Sequence, residues 1–209
     1  PLKGGLRTDH GSISEPLAIG VYSVKKAAGV KDRKIGILGY GPIGMSVMLA
    51  ARAEGAESFF VSDKINARLA IAKKEKAFLT VNPANEDLVK KVLAAENLGL
   101  DVVFECCGQQ DAMDQAIEIL KPGGKLVVVG IPEFDNWIVN VEKTRRKEIS
   151  LQFIRRQVDC VETALSLMEK GKINIDNMIT HRFSFGKTKE AFDLVAEYSD
   201  GVMKAMIDF

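Results

Sequence analysis

The sequence predicts an α/β fold: a doubly wound parallel sheet with helices on both faces and a short C-terminal strand-helix-strand tail. Three observations carry this. Short apolar runs alternate with amphipathic helical segments from residue 34 to about residue 171. The run 125–130 is almost wholly apolar, as a strand buried on both faces must be. The run 34–38 leads directly into Gly39, Gly41 and Gly44 at Gly-x-Gly-x-x-Gly spacing.

Taken in order, an irregular opening precedes a helix over 15–28, whose apolar positions Leu17, Val21, Val24 and Ala28 end at Gly29. A strand over 34–38 is followed by a helix over 42–54, with Pro42 in its first turn and Gly55 closing it. Strand 58–62 precedes helix 65–74, short strand 77–81 precedes helix 85–95, and strand 101–107 precedes helix 111–120, which stops at Pro122, Gly123 and Gly124. Strand 125–130, a sixth strand near 149–154 and a helix over 158–170 ending at Gly171 complete two βαβαβ halves. The pattern then changes. Residues 179–185 alternate with period two, 187–198 form an amphipathic helix and 204–209 a last strand. That tail needs another sheet edge to dock on. There are no internal repeats and no low-complexity linkers.

The 209 residues suffice for one large domain, or one domain and part of a second. Twenty-nine basic and 28 acidic residues leave a net charge of +1, which points to neither nucleic acid nor an anionic membrane as a partner. The chain has no apolar run of ~18 or more residues and no signal-peptide pattern, so a soluble, cytoplasmic protein is expected. It begins at Pro1 rather than methionine and reads as the interior of something longer. Cys106, Cys107 and Cys160 stand at no zinc-ligand spacing and cannot form a disulfide framework. Cys106 and Cys107 read as core fillers.

The glycine run carries the chemistry. Gly39 allows a tight turn, Gly41 lets the backbone approach a pyrophosphate, and Gly44 lets helix and strand pack closely. The unpaired N–H groups and positive end of the helix dipole would face the phosphates. Asp63 ends the next strand 19 residues after Gly44, close to the ~20 expected of the carboxylate that takes the ribose hydroxyls. A carboxylate there repels a 2′-phosphate and favours NAD over NADP, while Lys64 and Arg68 pull the other way. The plain structural alternative is that the glycines merely close a βα turn and Asp63 caps a helix. His10, in a polar loop with Asp9 and Ser12, and His181 are read as structural rather than catalytic. The stretch 145–147 reads as a solvated turn.

Glu15-Pro-Leu, the glycine run, Val61-Ser-Asp63, Glu105-Cys-Cys-Gly108, Pro122-Gly-Gly, Val129-Gly-Ile and Ile179-Thr-His-Arg-Phe resemble, in order and spacing, the zinc-dependent medium-chain dehydrogenases, closest to their sorbitol and xylitol branch. The resemblance covers residues 14–209. It implies a Rossmann domain over 29–172, a segment 1–28 entering from a catalytic domain, and a tail 173–209 returning to it. It implies an oxidoreductase in which hydride passes between a secondary alcohol or polyol and NAD, with zinc supplied in the full-length protein. Glu15 is the one position of the zinc environment present here, and one carboxylate cannot hold zinc alone. By the same resemblance Gly39, Gly41, Pro42, Ile43 and Gly44 contact the pyrophosphate, Asp63 the ribose and Arg68 the adenine face. Cys107 and Gly108 line the adenine side. Gly130, Ile131 and Phe153 present backbone to the nicotinamide, and Ile19 presses on its ring. Arg155 faces the substrate cleft or a neighbouring subunit, or is a plain surface charge. The family's pairing of nucleotide domains places a homodimer edge strand at 136–141, with Trp137 and Val139 near the contact; the plain alternative is a tryptophan packed inside its own loop. Two other classes remain: a nucleotide-binding or interaction module without catalysis, and a methyltransferase, whose loop does not call for Pro42.

Overall fold

The computed structural model describes residue 2 and residues 5–209. Residues 1, 3 and 4 lie outside the described residues.

Six parallel strands form one sheet: β1 (Lys34–Leu38), β2 (Ser58–Ser62), β3 (Leu79–Val81), β4 (Leu100–Glu105), β5 (Leu120–Val128) and β6 (Ser150–Phe153). Their spatial order is β3-β2-β1-β4-β5-β6. This is the doubly wound order whose direction reverses between β1 and β4, where a crevice opens at the carboxyl ends of the strands. The apolar strands are covered on both faces, so two hydrophobic cores form. One gathers Ile35, Ile37, Phe59 and Val127; the other gathers Leu38, Phe60, Val103 and Leu126.

The helices are α1 (Thr8–Lys26), α2 (Pro42–Ala53), α3 (Asn66–Lys74), α4 (Leu88–Ala95), α5 (Gln110–Ile119), α6 (Val141–Arg146), α7 (Val161–Glu169) and α8 (Thr188–Ala196). α1 starts seven residues before the expected position and continues through Pro16. His10 Nδ1 accepts a hydrogen bond from the Arg7 N–H at 2.9 Å, and Ser14 Oγ donates to the Gly11 carbonyl. Polar side chains thus satisfy a helix end that the sequence presents as a loop. His10 belongs to this first turn. Further along, α1 lies tight on α2, because a Cβ on Gly20 would stand 2.5 Å from the Ser46 carbonyl carbon.

Residues 136–140 form no strand, in contrast to the expected edge at 136–141. The Ile138 N–H and carbonyl both bond to the Gln110 carboxamide, at 3.0 and 2.8 Å, and Asn140 caps α6 by accepting from the Lys143 N–H. Arg145 and Arg146 end α6 instead of a turn. The edge of the sheet is β6. Trp137 packs edge to face on Phe134, with ring centroids 4.9 Å apart.

In the tail, β7 (Ile179–Ser184) and β8 (Lys204–Asp208) pair in parallel with each other and stay apart from the six-stranded sheet. The unit docks through Arg182, which pairs with Asp9 on α1, and through residues 198–202, which rest on α3.

Candidate functional site

The crevice forms where β1 meets α2. Gly39 has φ +92°, and its N–H donates to the Ser62 carbonyl at 2.8 Å. A Cβ on Gly39 would stand 2.8 Å from the Cys107 Cβ, and one on Gly44 would stand 2.0 Å from the Gly39 carbonyl oxygen. These two glycines hold the turn closed. Gly41 differs: its φ is an ordinary −79°, and a Cβ there would meet only the Arg68 guanidinium, at 3.4 Å. It is also the N-cap of α2 and makes no side-chain cap bond, with Pro42 following at the start of the helix. The backbone N–H groups of the first turn therefore face the crevice without a protein side-chain partner.

Asp63 is buried at the end of β2. One carboxylate oxygen accepts from the Tyr40 N–H at 2.7 Å, the other from the Ile65 N–H at 2.8 Å, and Arg68 Nη1 stands 3.8 Å away. Two oxygens offer about four acceptor positions, so capacity remains for a further donor. Arg68 donates to the Val202 carbonyl and lies against the Tyr198 ring. Its charge is already engaged, whereas Lys64 is exposed beside it.

Across the crevice, Glu105 at the end of β4 is fully buried. One of its oxygens accepts from the N–H groups of Cys107 and Gly108, at 2.8 and 2.6 Å; the other has no partner. Desolvation of the Cys107 thiol where it lies along the crevice wall, and then the Glu105 charge beside it, push that thiol up; at Cys106 burial and then the Glu105 charge do the same. Both remain thiols at neutral pH and are poor nucleophiles. The expectation of core fillers holds for neither position in full: Cys106 is half-buried and Cys107 is an exposed part of the crevice wall.

The crevice has a volume of about 670 Å³. It brings together Gly39, Gly41, Pro42, Ile43, Asp63, Arg68 and Cys107. Gly44 lies beneath it, wedged against the Gly39 carbonyl. Gly108 and Gly130 pack on one another, since a Cβ on Gly130 would come within 2.2 Å of the Gly108 nitrogen. Ile131 and Phe153 are exposed at the ends of β5 and β6, outside the crevice walls, and Arg155 is an exposed residue just past β6. Glu15 is exposed on α1, and Ile19 is half-buried against the core. Sequence reasoning missed three contributors. Tyr40 is a fully buried aromatic inside the glycine run whose hydroxyl has no partner. Glu105 holds the loop after β4. Tyr198 comes from the tail, and no sequence signal connects it with residue 68.

Among the described residues no group of three or more His, Cys, Asp or Glu side chains could hold a metal ion. Glu15 stands alone, so the residues present do not make a zinc site.

Residues 42–170 match the family model described as zinc-binding dehydrogenase. The chain belongs to that family. It is 31% identical over 208 residues to an L-idonate 5-dehydrogenase of Vitis vinifera, covering 96% of this chain and 57% of the relative. It is 32% identical over 189 residues to the sorbitol dehydrogenase of Rattus norvegicus, covering 88% of this chain and 52% of the relative. The crystal structure of 2R,3R-butanediol dehydrogenase from Bacillus subtilis superposes with a TM-score of 0.91 at 26% identity, over 100% of this chain and 60% of that one. The chain thus spans a little over half the length of the curated relatives it matches. The family and the crevice agree on a Rossmann-type dehydrogenase domain. No helix among the described residues is long and apolar enough to cross a membrane.

Proposed function

We propose that this chain is the NAD(H)-binding portion of a dehydrogenase that transfers hydride between a secondary alcohol or polyol and NAD. The observation that carries the reading is the open position above Gly41, at an uncapped helix N-terminus, with the partly free Asp63 carboxylate beside it. Helix α2 donates backbone N–H groups to the pyrophosphate there, and the helix dipole favours the negative charge. Gly39, Pro42 and Ile43 shape that cradle, and Gly44 keeps it tight. Asp63 takes the ribose hydroxyls through its free acceptor positions, and Arg68 and Cys107 bound the adenosine side. Gly108, Gly130, Ile131 and Phe153 form the rim toward the nicotinamide. When bound, the coenzyme supplies the hydride chemistry; the chain orients it. Glu15 offers at most one ligand to a metal.

Calorimetry on the 209-residue chain tests this. NADH is expected to bind more tightly than NADPH, because Asp63 faces a 2′-phosphate with like charge and Arg68 is already engaged. Gly41→Val is expected to abolish binding with the melting temperature unchanged, since the added side chain fills the pyrophosphate's position without straining the backbone. Equal affinity for NADH and NADPH would overturn the role of Asp63. Binding by Gly41→Val would overturn the site.

A second reading, a binding module without catalysis, is favoured by the single ligand that Glu15 provides. The purified chain is expected to form no NADH from alcohols. A homodimer is also part of the proposal. Gln110 occupies one side of the extended stretch 136–140, which leaves the other side open to pair with a second copy across a two-fold axis. Light scattering that shows a monomer well above micromolar concentration, with Val139→Pro, which removes a donor from the side away from Gln110, without effect on mass, would overturn the dimer.

A further inference from the structure

The turn between α8 and β8 has an unusual backbone. Tyr198 (φ 51°, ψ 30°), Asp200 (φ 47°, ψ 27°) and Gly201 (φ 65°) all lie in the left-handed region. An aromatic residue seldom adopts this conformation, and it persists only where its surroundings over-determine it. Three contacts do so. His181 Nε2 stands 3.2 Å from Asp200 Oδ2. Gly201 sits so close to α3 that a Cβ there would be 2.5 Å from the Ala67 Cβ. The Val202 carbonyl accepts from Arg68 Nε and Nη2 at 3.4 and 3.3 Å.

These contacts place Tyr198 on the wall of the crevice while it remains 61% exposed. The Arg68 Cζ lies 5.3 Å from its ring centroid, and the same guanidinium reaches toward Asp63 and Gly41. A guanidinium held over an aromatic face and tied by further hydrogen bonds is a fixed platform, and purine bases stack on such surfaces.

We propose that Tyr198, supplied by the C-terminal strand-helix-strand unit, is a binding residue of the adenosine end of the coenzyme site: its ring walls the base slot and pins Arg68 beside the ribose carboxylate. This rests on the NAD(H) reading above. It makes the tail part of the nucleotide site, although the tail contributes nothing to the six-stranded sheet. The ordering contacts at residues 198–202 already exist in the protein, so little conformational freedom is lost when the base arrives.

The test uses calorimetry with two probes, NADH and ADP-ribose, the second having the adenosine end but no nicotinamide ring. Tyr198→Ala is expected to raise both dissociation constants by the same factor, about fivefold to tenfold, and Tyr198→Phe by less than about twofold. The Arg68→Ala, Tyr198→Ala double variant is expected to bind about as well as Arg68→Ala alone, because the two side chains act as one unit. Melting curves monitor the fold. If Tyr198→Ala melts well below the parent, Tyr198→Leu, which keeps apolar bulk and loses the π face, carries the comparison with the same expected loss. ADP-ribose binding unchanged by the variants, or strict additivity in the double variant, overturns the proposal and leaves the NAD(H) reading standing. A parent chain that binds neither probe overturns both.

Discussion

Asp63, just past β2, and Glu105, the last residue of β4, flank β1 on its two sides, and each accepts two backbone N–H groups. They do so differently. Asp63 uses both oxygens, one on its own loop at Ile65 and one across the sheet at Tyr40, and keeps acceptor capacity toward the crevice and Arg68. Glu105 uses one oxygen for both bonds within its own loop, while its other oxygen is buried without a partner. A short carboxylate arm at a strand end spans to the neighbouring loop and stays available to a ligand. A longer one folds back and becomes scaffold. The position of a carboxylate on a doubly wound sheet therefore does not by itself mark it as a ligand-binding group.

Substitutions at both positions and at Tyr40 can break or sharpen this contrast. The largest effect is expected at Glu105. Glu105→Ala leaves the buried Gly108 N–H and the partly buried Cys107 N–H without their acceptor, at about 3 kcal/mol of stability in total, and should lower the melting temperature by roughly 6–12 °C. A loss within the error of a scanning calorimeter would show that Glu105 is no scaffold. Asp63→Asn keeps one acceptor oxygen and should lose only about 1 kcal/mol. Its main effect should appear in binding, with affinity for NADPH relative to NADH rising about tenfold. A variant that melts far below the parent with an unaltered coenzyme ratio would make Asp63 a second scaffold and erase the distinction.

The smallest effect is expected at Tyr40. Its hydroxyl is buried without a partner, and burial pushes its pKa well above the ordinary tyrosine value, reinforced by the nearby Glu75 charge. Tyr40→Phe should raise stability by up to about 1 kcal/mol, since it removes an unsatisfied polar group without opening a cavity. NADH affinity should not change. Weaker binding by Tyr40→Phe in calorimetry would mean that the hydroxyl serves the site after all.

Much of the sheet was legible in the sequence. β1 and β2 run over 34–38 and 58–62, the expected residues, because continuous apolar runs bounded by glycine and charge leave few alternatives for a strand buried on both faces. The glycine run was legible for a similar reason. Gly39 and Gly44 answer local constraints, a positive φ and a contact with no room for Cβ, which any strand-turn-helix of this kind imposes. Other boundaries moved where side chains contradicted the local pattern. α1 runs through Gly11, Ser12 and Pro16 because it packs on α2 and is tied at its start by Arg7, His10 and Asp9. The family resemblance places an edge strand at 136–141, yet in the single chain the Gln110 carboxamide bonds the Ile138 N–H and carbonyl and 136–140 form no strand.

What the sequence by itself determined is the glycine-turn end of the crevice: a strand, three glycines, a helix start and a carboxylate within 30 residues, whose geometry follows from backbone sterics over a short span. Tertiary structure alone decided the opposite wall. Arg68 and Tyr198 are 130 residues apart, and only the docking of the β7–β8 unit on α3 brings a guanidinium against a ring. Local periodicity reports which face of a helix is buried, but it carries no information about which distant segment covers that face. The same limit applies to Glu105, whose place at the end of β4 was visible while its fold-back onto Cys107 and Gly108 depended on the packing of the loops after β4 and β5.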